Sequence, residues 1–344
     1  MTDAKAARPL RLNTHEAAQK PRTALQDTWA QLARNRPALL SLIFVIGLVA
    51  MALGADVLRN IGLIEDINDQ HRGSSLALPL SCATMQANQQ PYPPGERQFC
   101  FVFGADALGR DVLSRTVYGT RVSLAVAVVG AVMTTVIGVL YGVISGYYGG
   151  WVDNLMMRFV DFLYGIPSLV LVILFQAFFK SLDQAGTSGL ARTLIEIDRG
   201  MGGLFFLFIA LSILSWINMA RLARGEIMAY KHQEFVEAAR AVGASNWRII
   251  FVHLLPNITG PLVVATTLEI PAFIFTEAFL SFIGLGVEAP TPSWGGMIST
   301  GRDSLTSLPN LILVPGIALA LTTLAFNFLG DGLRDALDPH ARRT

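Results

Sequence analysis

Apolar residues along this chain gather into long runs instead of the short alternating stretches that pattern a soluble β-sheet. A helix that crosses a bilayer needs roughly 20 mostly apolar residues. Runs of that kind lie near 38–58, 122–146, 156–179, 203–221, 258–283 and 309–330, which predicts six spanning helices. Asp161 and Pro167 interrupt the third run, and Glu269, Pro271 and Glu277 the fifth. Such residues are tolerated where a helix faces protein or a water-filled cavity. Gly130, Gly138, Gly142 and Gly146 punctuate the second run, and small residues at four-residue spacing predict close helix packing more than selectivity. Phe205, Phe206 and Phe208 read as lipid-facing or core aromatics.

The polar intervals divide the chain. Residues 1–36 form a tail with Arg8, Arg11, Lys20, Arg22 and Arg34, and they lack the apolar core and small-residue cleavage site of a secretory signal. The first span then serves as an uncleaved anchor. Residues 37–121 comprise that span and a long polar loop, 122–330 a core transmembrane domain containing a polar loop at 222–257, and 331–344 a second tail.

Lys and Arg collect in short cytoplasmic loops. Arg221, Arg224, Lys231, Arg240 and Arg248 lie between the fourth and fifth runs, and Arg334, Arg342 and Arg343 in the C-terminal tail, against only Arg302 in 284–308. Both termini and the 221–257 loop are therefore expected inside. Arg110, Arg115 and Arg121 fall outside under this topology, after a loop of roughly 60 residues, a length at which the charge rule loses force.

Composition agrees with a polytopic membrane protein: 52% of the 344 residues are hydrophobic, only 15% are charged, and the mean hydropathy is +0.49. A formal net charge of +1 offers no basic field for a nucleic acid. Two cysteines, Cys82 and Cys100, supply neither a four-ligand zinc site nor a disulfide scaffold. Both lie in the long external loop, where a disulfide persists if it forms and where two unpaired thiols are equally compatible with the sequence. Gly, Pro and Gln around 86–95 predict irregular structure there.

Chemistry concentrates in Glu234–Asn257, which is too polar to span a bilayer. Phe235, Ala238, Ala239 and Val242 fall at i, i+3, i+4 and i+7, one apolar stripe on a short helix. Gly243 suits the left-handed residue that ends it. Ser245 is placed to cap a second helix carrying Trp247, Ile250, Phe251 and Leu254, and Pro256 disfavours its continuation. A rigid projection of this shape transmits force to a moving partner, with Ala238 and Ala239 allowing close approach and Glu237 setting register at the rim. Periodicity alone fits an ordinary interfacial amphipathic helix as well.

Glu237-Ala238-Ala239, then Gly243 and the His253-x-Leu255-Pro256 register, resembles the EAA signature of ABC importer permeases, and His253 resembles its dipeptide, oligopeptide and nickel branch. Three further stretches are similar to that branch. They are Phe103–Arg115 continuing through Tyr118–Arg121, with Ala105 in place of its usual Thr, Glu277–Val287 with Pro290–Gly295, and Asn327–Pro339. Together they cover roughly residues 100–340, while 59–100 matches no pattern. The resemblance implies an all-α integral membrane subunit of the type I importer fold in a bacterial inner membrane, the C-type partner of two permeases. It also implies two ATP-binding subunits that carry ATP and Mg, an external substrate-binding protein, surrounding lipid, and Glu237, Ala238, Ala239, Gly243, Trp247, His253 and Pro256 as the ATPase-coupling element. Peptides are the implied cargo, with nickel chelates or oligosaccharides as the alternative.

This chain itself has only Lys5, Lys20, Lys180 and Lys231, none in a Gly-x-x-x-x-Gly-Lys-Ser/Thr loop, so it is not expected to bind ATP. Neither His-Glu-x-x-His nor Gly-x-Ser-x-Gly occurs, and His15, His71, His232, His253 and His340 all fall in predicted loops or tails, which argues against a membrane enzyme. A channel or gradient-driven transporter would suit six spans but has no use for the projection. Polar groups inside apolar spans, Asp161, Asn218, Glu269, Glu277 and Asn327, are candidates for a translocation pathway, because an acid left in lipid costs a few kcal/mol. Pairing with Arg or backbone donors competes with that role, and Arg158 is the expected partner of Asp161.

Overall fold

The computed structural model describes residues 24–83, 90, 98–184 and 189–337. Arg8, Arg11, Lys20, Arg22, Arg342, Arg343, His15, His340 and all of the 86–95 run except Gln90 lie outside them, so the readings made there stay at the level of sequence.

Short α1 (Ala24–Arg34) leads into α2 (Arg36–Leu53), whose start is capped by the Asn35 side chain accepting from Ala38 N–H. Then come α3 (Ala55–Asn60), a two-stranded ribbon of β1 (Ser81–Cys82) and β2 (Cys100–Phe101), and the long α4 (Val112–Tyr148). A broken pair follows, α5 (Gly150–Tyr164) and α6 (Ser168–Gln184), then α7 (Leu190–Gly200), α8 (Leu204–Tyr230), the short α9 (Glu234–Ala241) and α10 (Asn246–Arg248). A π-helical turn (Ile249–Leu254) passes into α11 (Leu255–Phe282), and α12 (Trp294–Gly301) and α13 (Asn310–Leu337) complete the described chain.

Helices α2, α4, α8, the rod Asn246–Phe282 and α13 are each long and apolar enough to cross a membrane, and α5 with α6, bent by 75°, brings the number to six if the pair is one span. With the bent pair counted as one span, six candidate crossings match the six apolar runs, but their limits differ for physical reasons. The second begins at Val112, ten residues before the apolar run, because Ser114, Arg115, Thr116 and Thr120 are buried here with their polar groups satisfied. Thr116 and Thr120 donate to the carbonyls of Val112 and Thr116, and Arg115 to those of Ile67 and Pro290. The third is not one helix: Pro167 lacks an N–H and disfavours helical geometry at Ile166, so the chain turns between Tyr164 and Ser168. Pro256, expected to stop the second helix of the polar loop, does not stop it; the π turn widens just before the proline and the helix continues to Phe282. His253 consequently lies in a helical segment and not in a loop, and the tail assigned to 331–344 begins as the last turns of α13.

In lipid there is little hydrophobic drive between helices, so close backbone approach does the work. Gly138, Gly142 and Gly146 of α4 face α8, while Gly130 faces Phe273 of α11. A Cβ on Gly138 would stand 2.6 Å from Met219 Cβ, and one on Gly146 2.9 Å from the Arg224 carbonyl. Helix α11 packs on α4 and α13, and α2 on α13, enclosing an apolar core that includes Leu207, Phe273, Ile274, Leu280, Trp294 and Phe326.

One end of the bundle carries the described residues of 54–83 and 98–111. There β1 and β2 pair antiparallel with Cys82 opposite Cys100, and the two cysteines form a disulfide. His71 is buried between Phe99 and Phe101 and hydrogen-bonds Glu65 at 2.7 Å. Three arginines of this end are paired: Arg110 with Asp106 at 2.7 Å, Arg121 with Asp56 at 2.8 Å, and Arg59 with Asp66 at 2.9 Å. Arg121 beside Asp56 holds that carboxyl below the usual carboxylate range, whereas burial pushes Asp111, the N-cap of α4, upward.

Candidate coupling loop and translocation cavity

At the opposite end, where α4 finishes and α8 gives way to α9, the polar loop folds into two short helices joined at Gly243. Gly243 has φ +83, a left-handed geometry that glycine adopts without a Cβ penalty, and open space surrounds it. Ser245 caps the second helix by accepting from Arg248 N–H at 3.4 Å. Val236 and Ala239 turn inward onto Val143, Tyr147, Ile249, Ile250 and Leu254, which are also buried. Tyr147 donates to the Asn246 side chain at 2.8 Å, and Arg240 lies over the Tyr147 ring.

The predicted apolar stripe is the outward one. Phe235 is 39% exposed and Val242 85%, and Ala238 and Glu237 are exposed with them, so of the stripe only Ala239 is buried. In the second helix Ile250 and Leu254 are buried, while Trp247 and Phe251 stack on one another at 5.4 Å on the surface. Spacing reveals an apolar stripe but not which body covers it. Here α9 has two, one seated on the bundle and one left open. Pro256 is exposed and His253 half-buried.

Behind the hairpin, polar links tie α8 to α4 and α5 that the sequence did not disclose. Arg224 grips both carboxyl oxygens of Asp153, at 2.5 and 2.6 Å, and Ser145 donates to the same carboxylate. Lys231 donates to the Gly146 carbonyl at 2.8 Å. Opposite charges near the ends of neighbouring spans were the available signal, but which span ends meet is not a local property.

Higher in the bundle, a cavity of about 760 Å³ lies between the break in α5–α6, α8 and α11. Of the pathway candidates it brings together Asn218 and Glu269, alongside Ser168, Ser215, Tyr164 and Thr276 and an apolar wall that includes Val172 and Phe273. Asp161 does not line it. That carboxylate pairs with Arg221 of α8 at 2.7 Å, and Arg221 also covers the Tyr164 ring at 4.5 Å, which replaces the intrahelical Arg158 partner expected from spacing. Glu277 is fully buried away from the cavity, accepting from Ser123 and Ser281 at 3.2 and 2.7 Å beside Trp294. Asn327 is on an exposed face of α13. The hydroxyl-bearing lining residues escaped sequence reasoning because Ser and Thr are commonplace in spans, where they bond the preceding turn.

Residues 138–343 match the family described as binding-protein-dependent transport system inner membrane component, and residues 23–76 match the N-terminal TM domain of oligopeptide transport permease C. The dipeptide transport system permease protein DppC of Bacillus subtilis (strain 168) is 38% identical over 92% of this chain and 86% of its own length. The oligopeptide transport system permease protein OppC of Escherichia coli (strain K12) is 36% identical over 93% of each. Among solved structures, the methionine ABC transporter MetNI in an inward-facing conformation aligns with 66% of this chain and 96% of its own at 19% identity and a TM-score of 0.48.

Proposed function

This chain belongs to the binding-protein-dependent transport system inner membrane component family as a permease subunit of an ABC importer in a bacterial inner membrane, and from that premise we propose that it is the C-type half of a peptide translocation pathway. Its relatives' names carry the cargo class, dipeptides and oligopeptides. ATP and Mg are bound by two separate ATPase subunits. A homologous permease supplies the other half of the pathway, and an external binding protein delivers the peptide.

The carrying observation is the two-sided hairpin of α9 and α10. Val236, Ala239, Ile250 and Leu254 seat it on the bundle, and Glu237, Ala238, Val242 and Trp247 face out. A body fixed on one side and open on the other moves its own bundle when a partner grips it. In this reading the ATPase closes on the outward face, and the Arg224–Asp153 and Tyr147–Asn246 links pass the displacement to α8, α5 and α4 as a switch between packed states. Glu237→Lys and Gly243→Asp, made singly in the assembled complex in proteoliposomes, test it. Uptake and ATPase stimulation by loaded binding protein are both expected to fall at least about ten-fold, because a misplaced charge at an interface costs several kcal/mol. Unchanged rates would return the hairpin to an ordinary interfacial helix.

A further inference from the structure

Glu269 stands on α11 in the wall of the cavity, and its Oε2 is buried with no hydrogen-bond partner. It is the only charged residue among those that line the space. Arg221, which lies over the ring of the lining residue Tyr164, is paired with Asp161. A second acid of α11, Glu277, has its hydroxyl donors in place. A buried carboxyl oxygen without a donor carries an uncompensated desolvation cost, which a cationic N–H donor entering the cavity would offset. Ser168, Ser215, Asn218 and Thr276 supply further neutral hydrogen-bonding groups around the same space, and Leu169, Val172 and Phe273 an apolar side. The lining comes partly from the non-helical turn at Ile166–Pro167, the kind of broken crossing that places a site within the membrane.

We propose that this cavity is a transient binding subsite for a primary ammonium group, with Glu269 as its anion, and that on the importer reading above the group is the amino terminus of the passing peptide. The neutral hydroxyls and the amide orient the ammonium, and the apolar wall accepts the first side chain without selecting it, as a permissive pathway requires.

The test uses the complete complex in proteoliposomes and a tripeptide with a free amino terminus and a photoreactive first residue, compared with the same peptide labelled at its last residue. In the wild type the first-residue label is expected to cross-link to α8 or α11 within this cavity in the nucleotide-trapped state. Glu269→Gln should lose that cross-link and peptide uptake by about ten-fold while ATPase stimulation by loaded binding protein stays within about two-fold, and Glu269→Asp should restore part of both. Cross-linking of the first residue outside the cavity overturns the proposal. So does undiminished uptake by Glu269→Gln, and so does a loss that Glu269→Asp does not relieve, since Glu269 then pairs with the partner permease. Absence of peptide uptake and of stimulated ATPase in the wild-type complex would instead sink the peptide-importer reading itself.

Discussion

Single side chains in this protein are decided by how near a neighbouring backbone comes. A Cβ on Gly142 would stand 2.2 Å from the Ala220 carbonyl oxygen and 2.9 Å from Ala223 Cβ, whereas one on Gly47 of α2 would meet nothing within 4 Å. Neither obstacle at Gly142 is a flexible chain end, so the helices must part. Gly142→Leu is expected to destabilise the subunit by about 3 kcal/mol and lower its melting temperature in detergent. Gly47→Ala should be neutral or stabilising by up to about 1 kcal/mol, because it removes a helix-interior glycine at no steric cost. The four-residue spacing of the α4 glycines was visible in the sequence, and packing was the right expectation for it. That Gly138, Gly142 and Gly146 admit α8 while Gly130 admits Phe273 of α11 was not visible, since nothing in 122–146 names its neighbours. The same holds for Asp161. Its spacing to Arg158 is local and legible, but Arg221 arrives from another helix and wins the carboxylate.

Among elements, the α9–α10 hairpin shows how much a periodic pattern conveys. Its two helices, the left-handed Gly243 and the Ser245 cap follow from residue types whose preferences act over three or four positions. The assignment of faces does not. Trp247 is 60% exposed and Ile250 2%, although both stood on one predicted stripe. Trp247→Ala should therefore leave the melting temperature of the subunit almost unchanged, within about 0.5 kcal/mol, while weakening co-purification of the ATPase subunits. Ile250→Ala should cost about 2–5 kcal/mol by opening a cavity under the hairpin. The reverse pattern would mean that the exposed stack is the structural face. Pro256 teaches a related lesson: a proline reads as a stop, but a π turn ahead of it lets the rod continue into α11.

For the molecule as a whole, we propose that the hairpin end faces the cytoplasm, because Lys and Arg collect in short cytoplasmic loops. At the disulfide end Arg59, Arg110 and Arg121 are each paired with an aspartate and Arg115 is buried on backbone carbonyls, and Arg110, Arg115 and Arg121 follow a long loop, where the charge rule loses force. At the hairpin end Arg248 is exposed and Arg240 rests on an aromatic ring. Single cysteines at Leu78 and Trp247, each in a chain with Cys82 and Cys100 replaced by Ser, test this. A membrane-impermeant maleimide added to whole spheroplasts is expected to label position 78 directly and position 247 only after permeabilisation; the opposite result would invert the topology. The number of crossings, their approximate positions and the hairpin were determined by the sequence by itself, because transfer of residues from water to hydrocarbon is summed over a local window and turn chemistry acts over a few residues. Only the tertiary structure decided that α5 and α6 break open a cavity, that Glu269 and Asn218 share it while Glu277 is sealed among serines, and that one stripe of α9 faces the bundle and the other faces out. Those outcomes depend on which helices meet, a non-local property that small residues permit without specifying.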